Sequence, residues 1–282
     1  MKLEQNILQF AYSGSDPSTG YHDIARNLSA VNGKSIAQTK RSKGKYKPLG
    51  FMIRVRALTG SVFVSSLNCG YPTRNAVVLG GHARDEMLKS AGISRSNLES
   101  YQKELRLKFD KDMTGTNIYY PSATDIGTGN GGWGAGLTYD YTKVVFDDPG
   151  AAGTDITQTM CVLGNTSADV SSDNFLPVVD NWYKWRHSFT PAADADDIQD
   201  NVFSYVIQQS STSDQIINMI DDSQDEKPYY LPDFTTKSMK TLVGTDVGNT
   251  TSAVFCAPLG LLKVTSTASA SWEIEVVGVV EL

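Results

Sequence analysis

The sequence predicts an all-β fold with short helices, and three observations carry that expectation. Charged residues make up only 20% of the 282 positions while Gly reaches 24 and Tyr 13, a composition of many short strands joined by many turns. Apolar and polar residues alternate with period two in several stretches. Turn-forming residues recur between those stretches at strand spacing. A hydrophobic share of 40% is enough to build a core and excludes a disordered chain. No stretch approaches the roughly 18 apolar residues of a spanning helix. The opening residues lack the apolar segment of a secretory signal, so synthesis in a cytoplasm is expected.

Taken in order, residues 49–60 alternate clearly: Ile53, Val55 and Ala57 point one way, Arg54 and Arg56 the other. Strands are expected next at 61–68 and 76–81, separated by Gly60 and by the turn residues Gly70 and Pro72. Further strands are expected at 105–110, 137–148, 155–164 and 175–185, and the chain closes with strands over 253–266 and 271–282. In the last, Trp272, Ile274 and Val276 alternate with Glu273 and Glu275 before Gly278 breaks the pleat.

Two helical insertions are expected. The first lies near 82–105: a short helix ended by Gly92, then Ser96 and Glu99 in capping-box spacing with Leu98, Tyr101 and Leu105 on one face. The second lies near 190–221, with Thr190 as N-cap, Pro191 at the first helical position, and Ile198, Val202, Tyr205 and Val206 on a packed face. Strands, helix, strands then occur twice. The expected plan is therefore two tandem eight-stranded jelly rolls, residues 1–150 and 151–282, each long enough for eight strands and a helix.

Charge is segregated along the chain. Residues 24–84 hold eleven basic residues and no acidic one, whereas residues 144–226 hold fifteen acidic residues against Lys184 and Arg186. Opposed blocks of this kind can dock copies of one chain by complementary potentials. The basic segment 26–84 could instead meet nucleic acid or an anionic membrane. Its densest part, residues 34–47, has no helical period and is expected to be a mobile loop. The first 20 residues contain one basic residue, Lys2, so no genome-threading basic arm is expected there.

Chemistry-bearing motifs are scarce. No GxSxG, P-loop or HExxH occurs. Cys69, Cys161 and Cys256 are widely spaced, which argues against a disulfide framework. His22, His82 and His187 are isolated, so a zinc site or a triad would need distant segments. Residues 127–132 satisfy GxGxxG, but a strand-like stretch follows them, not the helix N-terminus that dinucleotide binding requires. The clusters Asp194/Asp196/Asp197 and Asp221/Asp222/Asp225/Glu226 could hold calcium, yet lack EF-hand spacing. Trp182, Tyr183 and Trp185, with Trp133, could make a sugar-stacking platform, although alternation sends at least one pair into a core or an interface. Paired carboxylates for glycoside hydrolysis have many candidates among the acids and nothing that selects a pair. No enzyme activity and no cofactor are expected, with calcium the one metal to consider.

The closing segment Phe255-Cys256-Ala257-Pro258-Leu259-Gly260-Leu261-Leu262-Lys263-Val264, the terminal strand after it, and the doubled strand–helix–strand plan resemble the jelly-roll major capsid proteins of icosahedral viruses. The likeness is greatest to the double jelly-roll capsid proteins of membrane-containing DNA bacteriophages. It implies a virion shell protein with two upright barrels, trimers forming pseudo-hexagonal capsomers, and partners that are other copies and virion proteins such as a penton or spike. Lattice contacts are expected at Lys40, Arg41, Lys43, Lys45 and Lys47 and in the Gly-rich stretch 127–136 around Trp133. A β-sandwich glycan-binding or spike module is the alternative, and a glycan-active enzyme the third reading.

Overall fold

The computed structural model describes residues 5–98, 103–114, 117–121, 141–147, 155–163, 175–179, 182, 236–238, 242–243 and 252–282. Thirteen strands and two α-helices occur among them: β1 (Ile7–Tyr12), β2 (Ser18–Asp23), α1 (Ile24–Asn32), β3 (Thr39–Ser42), β4 (Lys45–Thr59), β5 (Ser61–Leu67), α2 (Tyr71–Ser90), β6 (Lys143–Asp147), β7 (Asp155–Cys161), β8 (Phe175–Pro177), β9 (Thr236–Ser238), β10 (Leu242–Val243), β11 (Ser252–Pro258), β12 (Leu261–Ser266) and β13 (Ala270–Glu281). The fold is mainly β with antiparallel sheets, as expected.

Two sheets face each other. One has the order β1-β13-β4-β11, with β3 added to β4; the other has the order β10-β5-β12-β2, with β9 also on β5. Every pairing in both is antiparallel. The ends of the chain meet in each sheet: Ile7 to Tyr12 pair with Glu275 to Ala270, and Ser18 to Asp23 with Ser266 to Leu261. Both sheets thus draw strands from either side of residue 150. A tandem division there does not describe these sheets: Trp272, Ile274 and Val276 of the last strand share one core with Leu8 and Phe10 of the first.

Alternation dictates what lies inside. Phe51, Ile53, Val55 and Ala57 of β4, Trp272, Ile274 and Val276 of β13, Leu8 and Phe10 of β1, and Val62, Val64, Leu262 and Val264 of the opposite sheet are all buried in one cluster. Arg54 and Arg56 face outward, where they stand directly opposite Glu275 and Glu273 and bond them at 2.9 and 3.2 Å. Cross-strand ion pairs at such exposure contribute about 0.2–1 kcal/mol each. A register shift between Val276 and Gly278 breaks the pleat, in the place the sequence indicates, and leaves Val277 exposed.

A second core lies between α2, the three-stranded sheet β6-β7-β8 and the outer side of β2 and β12. It contains Val77 and Leu79 of α2, Met160, Val178, Trp182, Tyr21 and Leu261. Several expectations fail here for one reason. Residues 76–81 look like a strand but belong to the 20-residue α2, which starts at Tyr71 and has Pro72 in its first turn. Gly81 in that helix lets Tyr46 approach so closely that a β carbon would sit 2.2 Å from its ring. Packing against β4 thus overrides the β-propensity of the two valines. Residues 105–110 form no strand: Lys108 makes an isolated bridge to Cys161, and Phe109 and Asp110 lie in a bend. Residues 178, 179 and 182 are helical and do not continue β8. The turn after Gly92 is a short 3-10 helix, Arg95–Asn97, capped by Ser94 and not by Ser96. The helix expected near 190–221 lies outside the described residues.

Candidate functional site

Of the stretches singled out by charge, residues 34–47 are the one the structure describes fully, and they are ordered into a hairpin. Strands β3 and β4 pair Arg41 with Tyr46 and Ser42 with Lys45, leaving Lys43 and Gly44 as a two-residue turn at φ 50° and 80°. Two consecutive left-handed residues make the turn whose twist matches a hairpin, and Gly44 takes the second position without strain. The expected mobile loop is thereby corrected: the glycine that suggested mobility closes a turn.

Most of the hairpin's charges already have partners. Lys40 bonds Glu281 at 3.1 Å, and Lys47 bonds the same carboxylate, which holds it below the usual carboxylate range. Arg41 bonds Asp85 of α2 at 2.9 Å, and Arg95 reaches that carboxylate at 2.8 Å. The Tyr46 hydroxyl donates to Asp85 at 3.0 Å, while the guanidiniums of Arg41 and Arg95 lie 5.6 and 5.3 Å from its ring centroid. Tyr46 and Asp85 together clamp the hairpin to α2. Beside them opens a concavity of about 430 Å³ lined by Arg41, Asp85, Leu88, Lys89, Ile93 and Arg95. Lys43 and Lys45 are exposed, and among the described residues neither makes an ion pair. A rigid hairpin presenting two free cations is suited to reach an acidic surface on another molecule.

Buried titratable groups form two further centres, and both are structural. Asp23 caps α1 by accepting from Arg26 N at 2.9 Å; it also accepts from Gln38 Nε2 at 3.1 Å and the Tyr141 hydroxyl at 3.2 Å. Gln38 Oε1 in turn accepts from Leu107 N at 2.8 Å. Burial raises the Asp23 carboxyl, opposed by the charges of Arg106 and Arg26. Asp110 accepts from the Tyr21 hydroxyl at 2.9 Å and from Lys263 at 3.5 Å, and burial raises it too. The carboxylate oxygens so engaged join segments distant in the chain.

His22 sits among Phe10, Tyr119 and Trp272, with centroids 4.2, 5.2 and 5.8 Å away. Trp272 Nε1 donates to His22 Nε2 at 3.1 Å, which requires the neutral ring. Burial alone lowers its pKa to about 3. As pH falls from about 6.5 towards 3, the unfolded chain gains a proton that the native ring refuses, so stability falls across that window. The raised carboxyls of Asp23 and Asp110 act oppositely, favouring the native state until pH rises through their folded values. They are common to the native protein and a His22→Gln variant. Urea midpoints measured from about pH 7 to pH 4 are expected to fall more steeply in the native protein than in that variant. Parallel slopes would show that His22 titrates normally.

Trp182 is 5% exposed and meets the Tyr71 ring edge-on at 5.7 Å. It is a core residue and presents no face to a sugar. Trp133 and the stretch 127–136, Tyr183, Trp185, His187 and both acidic clusters lie outside the described residues. No helix among the described residues is long and apolar enough to cross a membrane. Comparison with protein-family models, with curated proteins and with solved structures returned no match. Sequence reasoning missed the Asp85–Tyr46–Arg95 clamp, because its members are far apart in the chain and only the packing of α2 on β4 unites them.

Proposed function

We propose that the protein is a major capsid protein, a jelly-roll subunit whose activity is to assemble with copies of itself into an icosahedral virion shell. Strand order is the observation that carries this reading. Numbering β1, β2, β4, β5, β10, β11, β12 and β13 as strands one to eight, one sheet runs 1-8-3-6 and the facing sheet 2-7-4-5. Two interlocked Greek keys produce this order, the eight-stranded jelly roll used by viral capsid domains. The reading departs from the tandem plan: one jelly roll is made from both ends of the chain. Residues 68–241 lie between its fourth and fifth strands and contribute α2 and the sheet β6-β7-β8 to the second core. Three subunits of two cores each would offer the six lobes of a pseudo-hexagonal capsomer. The exposed Lys43–Lys45 tip supports lattice contact, and the acidic stretch 144–226 is its complement in charge. The burial of Trp182 weakens the glycan-binding alternative.

Sedimentation velocity and negative-stain electron microscopy of the purified protein test this. Trimers and larger closed particles are expected, shifting towards small species as added salt screens the opposed charges. A Lys43→Glu/Lys45→Glu variant is expected to keep its folding stability within about 0.5 kcal/mol while losing the larger particles. Salt-insensitive monomers at every concentration would overturn the proposal.

A further inference from the structure

We propose that Cys69 and Cys256 are a redox pair that closes into an intramolecular disulfide on meeting a small-molecule disulfide, stapling the two sheets of the sandwich together. This does not rest on the capsid reading. Cys69 follows the end of β5 in one sheet, in a turn fixed by Gly70 N donating to Asn68 Oδ1 at 3.1 Å. Cys256 lies in β11 of the other sheet. The Cys69 thiol reaches the Cys256 carbonyl oxygen at 3.9 Å across a separation of 187 residues. The neighbouring Cys69 thiol, together with burial, holds the Cys256 thiol well above its ordinary value. Gly50 provides the room: a β carbon there would stand 2.6 Å from Cys256 Sγ.

Cys69 and Cys256 are half-buried residues, whereas Cys161 is fully buried in β7, so a small oxidant meets the pair first. Cys69 lies in the turn beyond β5, outside the strands, and is the first nucleophile. Its thiolate attacks one sulfur of the reagent, giving a mixed disulfide and one released thiol. Cys256 loses its proton to solvent and attacks Cys69 Sγ, expelling the second thiol. The protein loses two protons and two electrons, and the reagent's disulfide is reduced to two thiols. Reduced thiols are the expected state in a cytoplasm and the disulfide the expected state outside it.

The test uses the native full chain incubated with oxidised glutathione, then denatured, alkylated and weighed intact. The free thiols are expected to fall from three to one, with a peptide linking residues 69 and 256 and a protein mass lower by two hydrogens before alkylation. The oxidised form is expected to unfold at higher temperature, since the bridge closes a long loop. Cys161→Ser is expected to leave the reaction intact, and Cys69→Ser to leave no intramolecular bridge. Three retained thiols in the native chain, a stable glutathione adduct at either cysteine, a bridge to Cys161, or disulfide-linked dimers would each overturn the proposal.

Discussion

Replacing Trp272 with alanine is expected to destabilise the fold by about 3–5 kcal/mol, the range for deleting a large buried aromatic side chain. No other fully buried side chain among the described residues is larger. It holds both sheets. From β13 it stacks on Phe10 of β1 at 6.1 Å, crosses Tyr119 edge-on at 5.0 Å, and donates to His22 of the facing β2. Alanine leaves an apolar void where the strands from the two chain ends meet, and leaves His22 Nε2 without its donor. Phenylalanine keeps most of the ring contacts and loses the hydrogen bond, so about 1–2 kcal/mol is expected for Trp272→Phe. Urea unfolding at neutral pH reads both values. A loss under about 1 kcal/mol for Trp272→Ala would mean that the two sheets are not closed over this residue.

The second large effect is expected at Asp23. Alanine there removes the acceptor for the Tyr141 hydroxyl, the Gln38 amide and the Arg26 backbone amide in the first turn of α1 at once. Each buried donor left unmet costs about 1–3 kcal/mol, and loss of the cap alone about 1 kcal/mol, so a total of at least about 3 kcal/mol is expected. Asn retains one side-chain oxygen and is a good N-cap, so Asp23→Asn is expected to cost roughly half as much. Equal losses for the two variants would show that the carboxylate's second oxygen does the joining. A negligible loss for alanine would show that Gln38 and Tyr141 find other partners.

How far the sequence carries the fold depends on the range of the interaction. The faces of β4 and β13 were legible because alternation is local: Arg54 and Arg56 against Glu273 and Glu275 declare the outer side before any pairing is known. The break at Gly278 is legible for the same reason. Pairing of β1 with β13 and of β2 with β12 is not, since nothing near Ile7 or Ser18 names a partner some 250 residues away. The tandem plan follows from that limit, since alternation makes neighbours in sequence read as neighbours in space. Helix α2 shows a second limit. Its valine-rich stretch reads as strand until Gly81 is seen to lie against Tyr46, a packing fact. The basic segment shows a third. Eleven cations without an acid nearby in sequence suggest an open positive face. The fold returns Glu273, Glu275 and Glu281 from the far end of the chain to pair five of them with Asp85's help. Lys43 and Lys45 at the hairpin tip are exposed and make no ion pair among the described residues.

Under the proposed function, the unit that tiles is one sandwich closed by strands from both ends of the chain. Cryo-electron microscopy of the particles formed by the purified protein tests it most directly. The expected map shows β1 beside β13 and β2 beside β12 within every subunit, with the Lys43–Lys45 tip lying against a neighbouring copy. A map in which residues 1–150 and 151–282 fold into separate sandwiches, or a protein that forms no particles at all, would contradict it.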